Sequence, residues 1–234
     1  MELLEPAKAP VLLAAGRDAD VYALDAGRVL RRSRLGADVS AHGAVLTHLH
    51  RLGYPVPAVY SASGTDLVLE RVEGPTMLRA LTGGELGTPE AAELLAELHT
   101  RLHRLPARLS PDSRARILHR DLHPDNVIMS SRGPVVIDWC NAAEGAPELD
   151  VAVSALILAE VAVQPAGGLA GPAREMLAEF LGVAGAPPPS ALYEARRYRG
   201  ANPTLSADER GRLGAAVRLV EAIRPTGRSW RKEP

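Results

Sequence analysis

The polar loop around Asp121 contains the residue types that phosphoryl transfer requires. An amide, Asn126, follows Asp121 by five residues, and a second acid, Asp138, follows twelve residues later at the end of the apolar run VVID. Phosphoryl transfer needs a carboxylate that orients the acceptor hydroxyl and a metal ion that neutralises the phosphate charge. Magnesium prefers hard oxygen ligands. The loop therefore predicts that Asp121 faces the acceptor while Asn126 and Asp138 hold Mg²⁺.

The segment before this loop has the pattern of a small antiparallel sheet with one helix. The β-type runs VLLA, DVYAL and RVLRR alternate with turns between residues 11 and 32, and the runs AVYSA and DLVLERV follow near Ala58 and from Asp66. Apolar residues at helical spacing between Asp38 and Leu52 predict a helix after the third strand. Five strands and one helix would form a small α+β lobe.

From Gly74 onward the sequence is mainly helical, with one β-type interruption. The interruption lies between Ile117 and Trp139, where the runs NVIMS and VVIDW predict two strands. The apolar stretch from Val151 to Ala159 is bounded by acids and is too short for a membrane span, so it predicts a buried helix. Ser206 to Glu209 has the spacing of a capping box. The polar loop with Asp121 falls inside the interruption.

Composition narrows the class of protein. Apolar residues make up 46%, charged residues 24%, and the formal net charge is -1, which is ordinary for a globular protein and argues against nucleic acid as a partner. The single Cys140 cannot form an internal disulfide. The first residues are acidic rather than basic, unlike a signal peptide. We therefore expect a cytoplasmic protein without a membrane partner.

The loop from Ile117 to Val127 resembles the HxDxxxxN catalytic loop of kinases. The chain from roughly Gly16 to Asp150 resembles the aminoglycoside phosphotransferase and choline kinase family. His123 to Asn126 matches the HPxN of that family, and Ile137 to Trp139 matches its IDW in place of the protein-kinase DFG. The segment from Gly145 to Asp150 resembles the one that ends in an aspartate supporting the catalytic loop.

The resemblance implies an α+β, two-lobed protein-kinase-like fold. Its small antiparallel-sheet N-lobe would cover residues 1–73 and bind nucleotide. Its mainly helical C-lobe would cover residues 74–234 and carry the catalytic loop and the acceptor-binding helices. The activity implied is that of a Mg²⁺-dependent small-molecule kinase, a transferase that uses ATP or GTP as phosphate donor.

The resemblance also implies roles for individual residues. Asp121 would be the catalytic base, and Asn126 and Asp138 would hold magnesium. His119 is predicted to be a packed, hydrogen-bonded brace of the loop rather than a proton carrier, and His123 is open between these two roles.

The nucleotide side departs from the family pattern. Kinases generally hold the phosphates with a lysine on the third strand, and here lysine occurs only at positions 8 and 232. Arg31 on that strand is predicted to face the phosphates, because a guanidinium can also bind phosphate. The backbone of Glu70 to Val72 is expected to meet the nucleotide base, as the corresponding connector does in the family.

The helix glutamate that pairs with the lysine in kinases is also missing. His42 stands at its position, and no glutamate occurs between residues 6 and 69. Asp38 could approach Arg31 instead, or Arg31 could need no partner. The plain structural alternative is that Arg31 is a solvated strand residue and His42 a packed one.

The acceptor is expected to be a small hydroxyl compound. Only twelve positions separate Asp138 from Asp150, without the APE motif of protein kinases, which argues against a folded protein substrate. Residues 190–234 contain ten basic and five acidic residues. If they line the acceptor pocket, they favour a neutral or anionic alcohol over a polycationic aminoglycoside. Otherwise they form a solvated helix face.

Two readings from other classes stay open. The first is a degenerate kinase-like protein that binds nucleotide without turnover, which the replacements at Arg31 and His42 suggest. The second is a non-enzymatic regulatory partner that docks through its arginine-rich C-terminal part. Retention of Asp121, Asn126 and Asp138 argues against the first reading.

Overall fold

The computed structural model describes residues 11–165 and 168–223. Contacts divide the chain into two compact units, the first ending at Val72 and the second beginning at Glu73. This division lies one residue before the boundary expected from the sequence. The nucleotide and acceptor roles of the two units stay predictions.

The first unit is a five-stranded antiparallel sheet with one helix, in the strand order β1-β2-β3-β5-β4. The predicted five strands and the helix after the third strand are confirmed. Their bounds are β1 Val11–Ala15, β2 Ala19–Ala23, β3 Arg28–Ser33, α1 Ser40–Arg51, β4 Val59–Ser63 and β5 Asp66–Glu70.

Helix α1 packs closely on one face of this sheet. Gly43 of α1 is buried, and a Cβ atom at this position would overlap the Cβ of Ala62 on β4. The same Cβ would lie 3.6 Å from Leu67 on β5, which is fully buried. Arg31 pairs with Leu67 in the ladder between β3 and β5. Because directly paired residues share a face of a sheet, Arg31 lies on the face that α1 covers.

The second unit is mainly helical. Its helices are α2 Met77–Gly83, α3 Thr88–His103, α4 Pro147–Ala162, α5 Ala170–Ala184, α6 Pro189–Gly200 and α7 Ala207–Ala222. Two short antiparallel pairs interrupt them, β6 Arg116–Leu118 with β9 Ala143–Gly145, and β7 Val127–Ser130 with β8 Gly133–Val136. The α+β class and the predicted interruption are confirmed.

Helix α4 is the centre of the second unit. It packs against α3, α5, α6 and α7, and the core residues Leu156 and Ala159 are completely buried. A helix that is apolar on all sides must be covered on all sides. The predicted buried helix is therefore confirmed as part of α4.

Two further sequence features have structural outcomes. The capping box is present at the start of α7, where Ser206 and Glu209 exchange side-chain and backbone hydrogen bonds. In the part of the chain that the structure describes, no helix is both long and apolar enough to cross a membrane.

The close approach at Gly43 predicts an unusual sign for a glycine-to-alanine change. Alanine normally stabilises a helix interior by about 1 kcal/mol relative to glycine. We expect Gly43→Ala to lower the free energy of unfolding by roughly 1–3 kcal/mol, because the added methyl group must displace β4. Urea unfolding of the whole chain measures this change.

Gly211 of α7 is the matched control. It is exposed, and an added Cβ would meet no atom within 4 Å. Gly211→Ala is therefore expected to stabilise the protein by up to about 1 kcal/mol. Equal effects of the two substitutions would contradict the close packing of α1.

Candidate active site

The backbone is strained at two points of the candidate site. Arg120 and Asp138 have φ angles of 59° and 60°, and no other non-glycine residue in the described ranges has a positive φ. Such conformations cost on the order of 1–3 kcal/mol each and persist where surrounding contacts enforce them. One of them immediately precedes Asp121, and the other is the second candidate metal ligand itself.

Asp150 enforces the first of these conformations. This residue lies in the first turn of α4 and is completely buried. The backbone N–H of His119 donates to its Oδ2 at 3.0 Å, and the N–H of Arg120 donates to its Oδ1 at 2.6 Å. His103 Nε2 lies 3.1 Å from the same Oδ2. The structure therefore brings Asp150 to the loop that carries Asp121.

The Asp150 carboxyl is ionised in this environment. Burial raises its pKa, but the interactions with His103 and His99 outweigh burial and hold the pKa well below its ordinary value. The ligand atoms of His99, His103 and Asp150 lie within 4.8 Å of one another. Because both carboxylate oxygens already accept N–H groups, the cluster is a hydrogen-bonded support for the loop.

His99 ties a second point of the loop to the helices. Its Nε2 lies 2.9 Å from the Ser154 hydroxyl on α4, and this hydroxyl donates to the backbone carbonyl of Leu122 at 2.6 Å. All three groups are buried. Burial lowers the pKa of His99, partly offset by Asp150. Because the Ser154 hydroxyl donates to Leu122, it accepts a hydrogen bond from His99 Nε2.

His119 braces the loop from inside. Its Nε2 lies 2.9 Å from the carbonyl oxygen of Ile137, and its Nδ1 accepts the N–H of Asp121 at 3.2 Å. The ring centroid lies 4.6 Å from that of Trp139. Burial lowers the pKa of His119, partly offset by Asp150. Both ring nitrogens are engaged with the backbone, which fixes the neutral tautomer with hydrogen on Nε2.

The two candidate metal ligands are linked through the backbone. The amide nitrogen of Asn126 donates to the carbonyl of Asp121 at 2.9 Å, and the carbonyl of Asn126 accepts the N–H of Ile137 at 2.9 Å. Ile137 directly precedes Asp138. These two bonds use the side-chain nitrogen and the backbone carbonyl of Asn126, so its amide oxygen can bind a metal ion. Asp138 supplies a carboxylate. A set of hard oxygen donors with few protein ligands fits Mg²⁺.

Asp121 is a half-buried carboxyl with an unusual proton affinity. Burial raises its pKa to about 6, and the charges of Asp138 and Glu160 act in the same direction. Arg199 and a hydrogen bond from Asn126 oppose this rise. The guanidinium of Arg199 lies 3.5 Å from Asp121 Oδ1. A pKa close to neutrality suits a group that must exchange protons.

His123 lies between the base candidate and the metal candidates. Its Nε2 is 4.0 Å from Asp121 Oδ2 and 3.2 Å from the amide nitrogen of Asn126. Its Nδ1 accepts the N–H of Asp125 at 3.3 Å. Burial, followed by the neighbouring His119, lowers the pKa of His123 to about 4. His123 is therefore neutral around pH 7.

Sequence reasoning missed Arg199 and Glu160, which lie beside Asp121. The sequence signal that could have indicated them is a charged residue at a helix position where the pattern expects an apolar one. Arg199 follows the buried Leu192 and Ala195 on one face of α6, and Glu160 ends the apolar run of α4. Neither feature belongs to a motif.

In the first unit, Arg31 is half-buried on β3, whereas its neighbour Arg32 is exposed. Arg32 forms two hydrogen bonds with Asp66, at 2.7 and 2.6 Å. This difference in exposure agrees with the alternation of side chains along a strand.

Asp38 does not pair with Arg31. Its carboxylate accepts the N–H and the hydroxyl of Ser40, at 2.9 and 2.7 Å, and these bonds keep it at the start of α1. His42 lies half-buried in the first turn of α1. Of the alternatives for Arg31, the approach of Asp38 is wrong, because the carboxylate is held by its own turn.

Some backbone groups of the connector that follows β5 are hydrogen-bonded within the first unit. Glu70 exchanges bonds with Ala58, donating its N–H at 2.9 Å and accepting at its carboxylate at 3.1 Å. The N–H of Arg71 donates to Gly27 at 2.8 Å. Val72, half-buried, follows. Since two N–H groups are already used, Val72 is the candidate donor of this segment for a nucleotide base.

The role of Asp150 can be tested through stability. Asp150→Leu leaves the N–H groups of His119 and Arg120 without an acceptor, which costs roughly 1–3 kcal/mol for each buried group. We expect a lower urea midpoint for this variant. Asp112, an exposed acid, is the control, and Asp112→Asn should change stability by less than about 0.5 kcal/mol. A midpoint unchanged in Asp150→Leu would remove Asp150 from the support of the loop.

The raised pKa of Asp121 predicts that the residue destabilises the fold. Its pKa is about 6 in the folded protein and 3.8 ordinarily, so the folded state binds more protons between these values. The ionised carboxyl therefore costs stability above pH 6, by up to about 3 kcal/mol. We expect Asp121→Asn to unfold at higher urea than the wild type at pH 8, with the difference vanishing near pH 4. A less stable variant at pH 8 would contradict the raised pKa.

Solved structures of similar fold cover most of the chain. Aminoglycoside phosphotransferase APH(2'')-Ib with bound ADP is 14% identical, with a TM-score of 0.55, and the match covers 92% of this chain and 94% of that one. Amicoumacin kinase hAmiN, in complex with AMP-PNP, Ca²⁺ and Ami, is 13% identical, with a TM-score of 0.55 and coverage of 92% and 89%. APH(3'')-Id from Streptomyces rimosus is 17% identical, with a TM-score of 0.53 and coverage of 90% and 91%. The predicted protein-kinase-like fold is confirmed.

The sequence itself carries the family assignment. No curated protein matches the chain. The family model of the phosphotransferase enzyme family, APH, matches residues 11–116 and 105–180, which together span well over half of the chain. The loop with Asp121 and the first turns of α4 fall within the matched residues. The chain belongs to the APH phosphotransferase enzyme family.

Proposed function

We propose that the protein is a Mg²⁺-dependent small-molecule kinase that transfers the γ-phosphate of ATP or GTP to a hydroxyl group, with Asp121 as catalytic base. The observation that carries this proposal is the environment of Asp121. Its carboxyl has a pKa of about 6 and is held beside Asn126 and Asp138 by contacts that fix the loop on both sides.

Asp121 would take the proton of the acceptor hydroxyl. As the oxygen–phosphorus bond forms, the bond to the leaving diphosphate breaks, and the products are a phosphate monoester and a nucleoside diphosphate. A base with a pKa near the working pH combines the ionised form with a useful proton affinity. The contact from Asp121 N–H to His119 Nδ1 keeps the backbone of the base in place during this transfer.

Asn126 and Asp138 would hold Mg²⁺ through the amide oxygen and the carboxylate. Bound magnesium neutralises charge on the phosphates of the donor. Asp138 keeps its strained conformation next to Ile137, whose N–H and carbonyl bond to Asn126 and His119. His119, His123 and Asp150 would support the geometry of the loop without contacting the reacting atoms.

On the nucleotide side, Arg31 would contact the donor phosphates, with His42 replacing the usual acidic partner. The role of Arg31 is supported by its position on the face of the sheet that α1 covers. The backbone from Glu70 to Val72 would meet the base. ATP as donor accords with solved relatives, since one is a complex of hAmiN with AMP-PNP and another a streptomycin–ATP complex of APH(2'')-IIa.

The acceptor is proposed to be a neutral or anionic small alcohol. Polycations favour acidic surroundings, but the acids near Asp121 are already engaged. Glu160 pairs with Arg199 at 2.9 Å, and Asp150 accepts backbone N–H groups. Of the basic residues counted from 190 onward, those at 224, 228, 231 and 232 lie outside the described residues.

The relatives in the comparisons make an aminoglycoside the second candidate acceptor. One of them is a complex of APH(2'')-IIa with gentamicin, at 14% identity. The proposed compartment is the cytoplasm, because the single cysteine cannot form an internal disulfide and exported small proteins commonly rely on several.

The proposal predicts different defects for the two acids. Asp121→Asn should lower turnover by roughly 10²–10⁴-fold, because general base catalysis is lost, while nucleotide binding measured by calorimetry stays close to the wild-type value. Asp138→Asn should weaken the binding of magnesium–nucleotide. Turnover is measured with ATP and GTP against aminoglycosides, amino alcohols, sugars and nucleosides.

Asp112→Asn is the control and should retain wild-type turnover, since Asp112 is exposed and bonds only to nearby loop residues. Full activity of both Asp121→Asn and Asp138→Asn would contradict the proposal. Nucleotide binding without transfer to any acceptor would favour the degenerate kinase. The absence of nucleotide binding would favour the regulatory partner.

A further inference from the structure

We propose that Arg199, clamped by Glu160, is a positioning residue that holds the Asp121 carboxylate in a fixed orientation for proton transfer. This inference rests on the proposed function, in which Asp121 is the catalytic base. It assigns a catalytic purpose to helix α6, which carries no motif.

The three side chains form a directed array. The guanidinium of Arg199 makes two parallel bonds to Glu160, from Nε to Oε1 at 3.0 Å and from Nη2 to Oε2 at 2.9 Å. Its third nitrogen, Nη1, lies 3.5 Å from Asp121 Oδ1. A planar guanidinium that is fixed by a two-pronged bond has one remaining edge with a defined direction. In Arg199 this edge faces Asp121.

Burial of these three charged side chains costs free energy of hydration. The side chains of Arg199, Glu160 and Asp121 are 13%, 11% and 22% exposed. Ion pairs withdrawn from water lose hydration that their attraction does not reliably restore, and apolar replacements of similar volume are often as stable. Stability alone therefore gives little reason for a charged pair here, whereas a nearby carboxylate that must keep a fixed direction gives one.

The two residues that form the clamp are anchored independently of the loop. Glu160 lies in the last turn of α4 and Arg199 in the last turn of α6, and these helices pack against each other. Burial lowers the pKa of Arg199, but Glu160 and Asp121 raise this pKa by a larger amount, so the guanidinium stays charged. A cation at the C-terminal end of a helix is also favoured by the helix dipole.

The other groups that face Asp121 cannot replace this cation. Asp138 and Glu160 are acids and raise the pKa of Asp121. The histidines beside the loop, at 119 and 123, have pKa values lowered by burial and are neutral at pH 7. Arg120 is directed elsewhere, donating to the carbonyl of Asn141 at 2.7 Å, with its guanidinium 4.6 Å from the ring of Tyr198.

Arg199→Met tests the inference, with Arg197→Met as the matched control. Arg197 lies on the same helix but is exposed and lines a surface cavity with Tyr193 and Arg196. The first readout is the thermal midpoint, which shows whether each variant is folded. We expect Arg197→Met to keep both the wild-type midpoint and the wild-type kcat.

The second readout is the separate change in kcat and KM for phosphate transfer. We expect kcat at pH 7 to fall at least tenfold in Arg199→Met, with little change in the KM for nucleotide, because the base loses its fixed direction. Arg199→Lys should restore part of the rate, since it keeps the charge but not the two-pronged geometry. A purely structural role would lower the thermal midpoint and leave kcat of the folded protein at its wild-type value.

A double variant keeps the test valid if Arg199→Met folds poorly. Arg199→Met with Glu160→Leu removes both charges together and is expected to fold, because no unpaired ion is left from the pair. Its kcat should remain at least tenfold below the wild-type value while its thermal midpoint is retained. Wild-type kcat in this folded double variant would overturn the inference.

The outcomes separate this inference from the proposed function. If the wild type transfers phosphate but kcat is unchanged in folded Arg199→Met, the positioning role is wrong and the kinase assignment stands. If the wild type phosphorylates no acceptor, the proposed function is wrong, and the positioning role is wrong with it.

Discussion

The buried carboxylate of Asp150 is the constraint on which the candidate site depends. It accepts the N–H groups of two consecutive residues, His119 and Arg120. These bonds hold the backbone of Arg120 in a left-handed conformation that residues other than glycine rarely adopt. Asp121 comes next in the chain, so its direction follows from this turn. His103 and the core around α4 keep Asp150 in place. The packing of α4 thus fixes Asp150, and Asp150 in turn fixes the position of Asp121.

Helix α4 connects two kinds of control over Asp121. Its first turn supplies Asp150, which sets the backbone of the loop, and its last turn supplies Glu160, which orients Arg199. Burial and neighbouring acids push the Asp121 carboxyl toward its neutral form, while Arg199 favours the ionised form. The balance leaves a carboxyl with a proton affinity between that of an ordinary aspartate and that of a histidine, which is what a general base near neutral pH requires.

Local patterns predicted most of the fold, because strand alternation, helical spacing and capping are properties of neighbouring residues. The five strands, α1, the buried helix α4 and the capping box of α7 are all confirmed. The position of Asp38 was less predictable, since its bonds to Ser40 compete with an approach to Arg31. The pair of Glu160 and Arg199 could not be predicted, because it joins residues that are 39 positions apart and belong to no motif.

The central claim is that Asp121 accepts the acceptor proton in transfer of a nucleotide γ-phosphate. Phosphorus-31 NMR of the protein with Mg²⁺, ATP and a mixture of small alcohols tests it most directly. The account predicts a new phosphate-monoester signal that grows in step with ADP and is missing with Asp121→Asn. Inorganic phosphate growing in step with ADP, without a monoester, or a monoester formed equally by the variant, would contradict it.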